Sequence, residues 1–258
     1  MKTNLIALAI LLLASCTKTI DVNLRTAASQ IVIQGNITNQ GSPYYIKINK
    51  SVSFDAENIY PAVSGATVSV LDSNTNRRYY FTESGDEGYY INNNMYGQVG
   101  HTYKLSVIVD GTEYTASSTM PDFVGLDEVT FTRTKIFNQV RNLPQVNFTD
   151  PAGVTNYYVF TLLVNSVPYK AFYALDDRLT DGNNIRQQLY MDSAYIQPND
   201  FVTVVMGSVD KNVYNYFNVL QGNGGASGTT PSNPPSNISN NALGYFSAEC
   251  VDIKSITF

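Results

Sequence analysis

Tryptophan is absent from this 258-residue sequence, His101 is its only histidine, and Cys16 and Cys250 are its only cysteines. One histidine leaves no imidazole pair for acid–base chemistry and no His-x-x-x-His metal motif. Two cysteines exclude a disulfide-stapled mini-protein and a cysteine-rich zinc module. Charged residues are 14% of the chain, against roughly 25% in ordinary soluble domains. The net charge of −5 excludes nucleic-acid binding through a basic face. There is no Gly-x-Ser-x-Gly nucleophile elbow and no glycine-rich phosphate loop. No apolar run reaches the about 20 residues that a membrane-spanning helix needs. What fills the chain instead is 19 Tyr, 12 Phe and many Asn, Thr and Ser.

The longest apolar run, residues 5–14, follows Lys2 and ends in Leu13-Ala14-Ser15-Cys16. A positive start, a short apolar core and small residues before a cysteine are the features of a secretory signal with a lipobox. The expectation is a signal peptide over residues 1–15 and a diacylglycerol on the Cys16 thiol. The alternative is a plain signal peptide with an incidental cysteine. Several acyl chains on one residue would anchor the protein stably, at about 0.8 kcal/mol per buried CH₂. Thr17, not Asp, follows the cysteine, so nothing argues for inner-membrane retention. With Cys16 lipidated, Cys250 has no partner within the chain and reads as a buried structural thiol.

Residues 16–30 form a polar tether. Beyond them, apolar and polar residues alternate in short runs at 31–37, 44–48, 66–71, 78–82, 88–91, 102–109 and 113–119. Asp110-Gly111 between two such runs is a strong hairpin signal. Seven short strands in about 90 residues predict an immunoglobulin/transthyretin-like β-sandwich over residues 31–120. Met120-Pro121-Asp122 then punctuates the chain. Strand patterns at 127–135, 143–148, 157–164, 170–175, 187–191 and 201–206 predict a second β-rich unit over residues 121–258. Val209, Val213, Tyr216, Phe217 and Leu220 fall at helical spacing. They predict one amphipathic helix over about 208–221, with Ser208 as its N-cap and Gly222 as its stop. Residues 222–241 have the composition of a flexible loop, and residues 242–258 return to strand character.

Several segments together resemble a family of Bacteroidetes lipoproteins catalogued only as a domain of unknown function. They are Cys16-Thr17-Lys18-Thr19-Ile20-Asp21-Val22, residues 31–38 (IVIQGNIT), residues 61–68 (PAVSGATV), residues 231–238 (PSNPPSNI) and residues 242–248 (ALGYFSA). The resemblance spans nearly all of the chain beyond the signal and implies an outer-membrane lipoprotein working beside a TonB-dependent receptor. It carries over no catalytic residue. The acidic run after the lipid cysteine that marks surface export in that group is absent here, so outward and periplasmic facing both stay open. The first unit also resembles the transthyretin-like regulatory domain of carboxypeptidases, through Gly65-Ala66-Thr67-Val68, Gly88-Tyr89-Tyr90 and residues 100–105 (GHTYKL).

The densest oxygen-ligand segment is residues 176–184 (DDRLTDGNN). Calcium takes six to eight oxygens from closely spaced carboxylates and carbonyls, so Asp176, Asp177, Asp181 and Asn183 are candidate ligands. A polar loop with Asx-turns is the competing reading. Asp127-Glu128 and Asp86-Glu87 are adjacent pairs, which a strand turns to opposite faces. His101 follows a turn glycine and reads as a surface or turn residue. Tyr44-Tyr45, Tyr79-Tyr80, Tyr89-Tyr90 and Tyr157-Tyr158 each put one ring on either face of a strand. Asp192-Ser193-Ala194 resembles a short acceptor for O-glycosylation at Ser193. Long loops in compact domains are usually functional or disordered, so Pro231, Asn233, Pro234, Pro235 and Asn237 are candidates for ligand or partner contact.

The functional expectation is a non-enzymatic binding or accessory component, lipid-anchored to the outer membrane beside a TonB-dependent receptor in nutrient uptake, with no resident cofactor. The alternatives are a carboxylate-dependent hydrolase of envelope or glycan substrates, and a structural or adhesive surface protein.

Overall fold

The computed structural model describes residues 28–53, 56–57, 59–136, 138–192, 196–223 and 233–258. The signal peptide, Cys16, Ser193 and Pro231 lie outside the described residues. The chain is mainly β, as the alternation predicts. Seven strands make up its first part: β1 (Ile31–Thr38), β2 (Tyr44–Lys50), β3 (Thr67–Asp72), β4 (Arg77–Glu83), β5 (Tyr89–Asn92), β6 (Thr102–Val109) and β7 (Thr112–Thr119). Six more follow: β8 (Leu126–Ile136), β9 (Gln139–Thr149), β10 (Tyr157–Val164), β11 (Val167–Asp176), β12 (Asn184–Gln188) and β13 (Phe201–Ser208). Helix α1 (Lys211–Asn223) and β14 (Leu243–Thr257) complete the chain.

Period-2 burial drives the first sandwich. Ile33 and Ile37 of β1, Ile46 and Ile48 of β2, and Tyr90 of β5 point inward. Val68 and Val70 of β3, Phe81 of β4, and Tyr103, Leu105 and Val107 of β6 join them in one core. Each such large side chain, fully buried, contributes about 1.5–3 kcal/mol. The tyrosine pairs behave as strand geometry requires: Tyr44 and Tyr90 are buried, while Tyr45 is 47% exposed and Tyr80 64%. Asp110 and Gly111 both adopt positive φ, 50° and 80°, the backbone of a type I′ hairpin between β6 and β7.

The second sandwich stacks β11-β10-β13-β14 on the three-stranded sheet β12-β9-β8. Phe148 of β9 meets Tyr158 edge-on at 4.9 Å between ring centroids. Phe160, Leu162, Val204 and Met206 fill the space around them. The far face of β10 and β11 is covered by α1, through Val213, Tyr216 and Phe217.

Strand β14 serves both units. Its first half runs parallel to β1, from Val32↔Leu243 to Thr38↔Glu249. Its second half runs antiparallel to β13, from Ser208↔Cys250 to Phe201↔Thr257. Phe246, Ala248 and Cys250 accordingly sit in the first core. Residues 121–258 are therefore not a self-contained unit: their final strand completes the sandwich begun at residue 31. Gly244 makes the close approach possible. Its φ is +92°, and a Cβ there would lie 2.0 Å from the Ile33 carbonyl oxygen.

Two local expectations are corrected. Ser208 is still paired with Tyr158 and Cys250 as a strand residue, so it does not cap the helix. Asp210 does, with Oδ1 accepting from the Asn212 and Val213 amides at 2.8 and 3.1 Å. Gly222 lies inside α1 and does not stop it. The strand expected at 187–191 is displaced to 184–188 by its register with β9.

Candidate functional site

The described part of the proline-rich loop is docked, not free. Asn237 uses both ends of its carboxamide on one residue: Nδ2 donates to the Phe246 carbonyl at 2.7 Å, and Oδ1 accepts from the Phe246 amide at 3.0 Å. In effect the side chain pairs with β14 as a strand would. Ile238 is buried in the first core. Ser239 exchanges hydrogen bonds with Thr115 of β7, and Asn240 Nδ2 donates to the Glu113 carbonyl at 2.6 Å. This segment closes the sandwich between β14 and β7. Asn237 is thus a structural latch; Asn233 and Pro235 stay exposed, and Pro234 is half-buried.

Against the latch lies a groove of about 620 Å³. Its walls include Arg78, Lys104, Glu113, Thr115, Asn212 and Ser239, so β4, β6 and β7 of the first sandwich, the latch and the start of α1 contribute. Arg78 Nη1 donates to Ser69 Oγ at 2.9 Å, and Ser106 Oγ donates to Glu113 Oε1 at 2.7 Å. Strand β7, which lines the groove, is also tied to β14 and to the start of α1 by a short relay. The Ala248 amide donates to Ser118 Oγ at 2.8 Å, and Ser118 donates to the helix-capping carboxylate of Asp210.

A second cluster lies at one end of the second sandwich. Loop 177–183, between β11 and β12, meets loop 150–156, between β9 and β10. Asp150, Asp177 and Asp181 bring one carboxylate oxygen each within 4.8 Å of the others. Asp150 and Asp177 are buried and Asp181 is exposed. Tyr158 donates its hydroxyl to Asp150 Oδ1. Main-chain amides serve three more of the carboxylate oxygens: Gly182 to Asp150 Oδ2 at 3.1 Å, Asn156 to Asp177 Oδ2 at 2.6 Å, and Gly153 to Asp181 Oδ1 at 2.7 Å. Burial first, then the bond and charge of Asp150 and the charge of Asp177, push the Tyr158 phenol well up.

The expected ligand set is therefore divided. Asp177 and Asp181 converge. Asp176 points elsewhere, accepting from Arg178 Nε at 3.0 Å and from the Tyr214 hydroxyl at 2.7 Å. Asn183 donates to the Asp181 carbonyl at 3.1 Å and is not part of the carboxylate trio. Asp150 was missed from the sequence. Its one local signal is the turn composition Asp150-Pro151-Ala152-Gly153, which marks a bend but not a partner some 30 residues on.

Three further groups bear on chemistry. His101 is not a plain surface residue: Nδ1 lies 2.9 Å from Oδ2 of the buried Asp72. Burial alone would raise the Asp72 carboxyl; the bonds from His101 and Thr75 and the amides of Asn74 and Thr75 outweigh it and hold it low. Cys250 is a free, buried thiol, pushed up to about 11 by burial and by the charges of Asp122 and Asp252. Glu249 sits at the point where β14 passes from β1 to β13. Asn36 Nδ2 donates to its Oε1 at 3.0 Å. Burial pushes this carboxyl up to about 7, against partial relief from Ser247 and Asn36.

Residues 17–254 match a protein family described as a domain of unknown function, DUF4249. The chain belongs to this family. No curated protein matches the chain. Among solved structures, the chain is similar to a two-domain fibronectin type-III segment of chicken tenascin, at 11% identity, 70% coverage of this chain, 91% of that chain and a TM-score of 0.23. It is also similar to the chicken interferon gamma receptor alpha chain, at 7% identity, 70% coverage of this chain, 88% of that chain and a TM-score of 0.22. Among the described residues, no helix is long and apolar enough to cross a membrane.

Proposed function

We propose that this DUF4249 protein is a lipid-anchored, non-enzymatic binding component of the bacterial outer membrane, working beside a TonB-dependent receptor in nutrient uptake. The observation that carries the reading is the groove of about 620 Å³ at the join of the first sandwich, the latch and α1. Strands and the latch's hydrogen bonds hold its walls, so a partner or cargo meets a preorganised surface and little ordering entropy opposes binding. Its lining mixes Arg78, Lys104 and Glu113 with neutral hydroxyls and amides, which suits a polar, uncharged or zwitterionic ligand surface. A lipid on Cys16 would confine the protein to the membrane plane and raise its effective concentration at a receptor. Affinity purification from membranes in mild detergent tests this. The expected result is co-recovery of a TonB-dependent receptor, lost on Lys104→Glu; recovery of no envelope partner would overturn it. Cys16→Ala should move the protein from the membrane to the soluble fraction.

The alternative reading is a carboxylate-dependent hydrolase, and the Glu249 carboxyl, raised to about 7, favours it. Glycosidases work with two carboxyls about 5–9.5 Å apart, whereas the hydrogen-bond partners of Glu249 are Asn36 and Ser247. Polysaccharide cleavage that disappears in Glu249→Gln would replace the binding reading with this one.

A further inference from the structure

We propose that Asp150, Asp177 and Asp181, together with the side-chain oxygens of Asn156 and Thr180, form a binding site for one calcium ion. Two observations meet here. The first is the carboxylate trio, two of its members buried, with their oxygens within 4.8 Å of one another. The ion pairs among the described residues, His101–Asp72 and Arg178–Asp176, lie outside it. Buried carboxylates call for a compensating charge or hydrogen bonds, and amide and phenol donors supply no formal charge.

The second observation is independent of the carboxylates. Asn156 is 6% exposed, and its Oδ1 is buried without a hydrogen-bond partner. Thr180 Oγ1 is likewise buried and unpartnered. Both residues are bonded to Asp177 through their main chains: the Asn156 amide lies 2.6 Å from Asp177 Oδ2, and the Thr180 amide 2.7 Å from the Asp177 carbonyl. A buried polar atom with no partner is costly. Two such oxygens on residues that frame one carboxylate cluster give the ion neutral ligands beside its anionic ones. Three carboxylates, an amide oxygen and a hydroxyl make five oxygen ligands, and solvent on the exposed Asp181 side can complete the six to eight that calcium takes. Oxygens within 4.8 Å of one another are close enough to share one ion, since opposite ligands on calcium stand up to about 5 Å apart, twice its 2.3–2.6 Å bond.

Calorimetric titration of the full chain with CaCl₂, after chelator treatment, tests the site. One equivalent should bind, and Asp181→Asn and Asn156→Ala should each weaken it by about tenfold or more. Asp176→Asn should leave it unchanged. Asp181 is exposed, so its variant should fold, and circular dichroism in chelator verifies this. Terbium emission excited through tyrosine gives a second readout, because Tyr158 hydroxyl touches Asp150. The proposal is overturned by no heat and no terbium emission up to about 10 mM calcium, above the range of weak sites. It is equally overturned if both variants bind as the parent does, or if magnesium displaces calcium at equal concentration.

Discussion

Glu249→Gln should make the protein more stable at pH 8 and leave it unchanged at pH 4. The carboxyl is wedged between β1 and β13, with the Gly207 backbone so near that a Cβ there would come within 3.1 Å of Glu249 Oε2. Burial raises the folded carboxyl to about 7 from an ordinary 4.5. Below pH 4.5 folded and unfolded chains both hold the proton, and Glu249 contributes no pH dependence. Between 4.5 and about 7 the unfolded chain gives up its proton while the folded one keeps it, so stability falls as pH rises. Above about 7 the full cost is present, roughly 3 kcal/mol at about 1.36 kcal/mol per pH unit. Glutamine keeps the shape and an oxygen for Asn36 Nδ2 but never ionises. Urea unfolding of parent and variant at intervals from pH 4 to 8 isolates the effect, since every other titrating group cancels in the difference. The gap should open from near zero at pH 4 to about 2–3 kcal/mol at pH 8, or on the order of 5–10 °C in Tm for a chain of this size. Parallel stability curves across the whole range would refute the account of Glu249.

Other perturbations probe the supports around it. His101→Ala removes the hydrogen-bond partner of the buried Asp72 carboxylate and should cost about 1–3 kcal/mol in urea unfolding. Asp210→Ala removes the α1 cap and the acceptor for Ser118; about 1–2 kcal/mol should be lost, read as an earlier thermal transition by circular dichroism. Gly244→Ala places a methyl against the Ile33 carbonyl and should yield a poorly folded protein, whereas alanine at Gly111, where a Cβ meets nothing within 4 Å, strains only the local turn and should fold.

Local order was legible in the sequence because it is written in neighbouring residues. The alternation in residues 31–38 and 102–109 exposes a half-buried strand directly, and Asp110-Gly111 announces its own turn. The spacing from Val209 to Leu220 shows a helix, although its start at Lys211 depends on Ser208 being held by β10 and β14, a tertiary fact. The features that local sequence does not carry depend on distant partners. Nothing near Asp150 says that it will meet Asp177 and Asp181, and nothing near His101 says that Asp72 will stand beside it. By composition Asn237 reads as part of a free loop, because the Gly, Ser, Pro and Asn around it set composition only. Its carboxamide has a fixed role once Phe246 of β14 lies alongside.

The shared strand changes what the two sandwiches are to each other. The Asn36–Glu249 bond joins residues 213 positions apart, so the first sandwich cannot close while the chain is emerging. Until residues 243–257 are available, β1 and β13 both present open edges, the state most exposed to wrong pairing. Such long-range pairing also slows folding. A cut near residue 120 would leave a sheet with a missing member rather than a free-standing module. The two halves are bound to a common fate: they complete together, and a fault at β14 disables both.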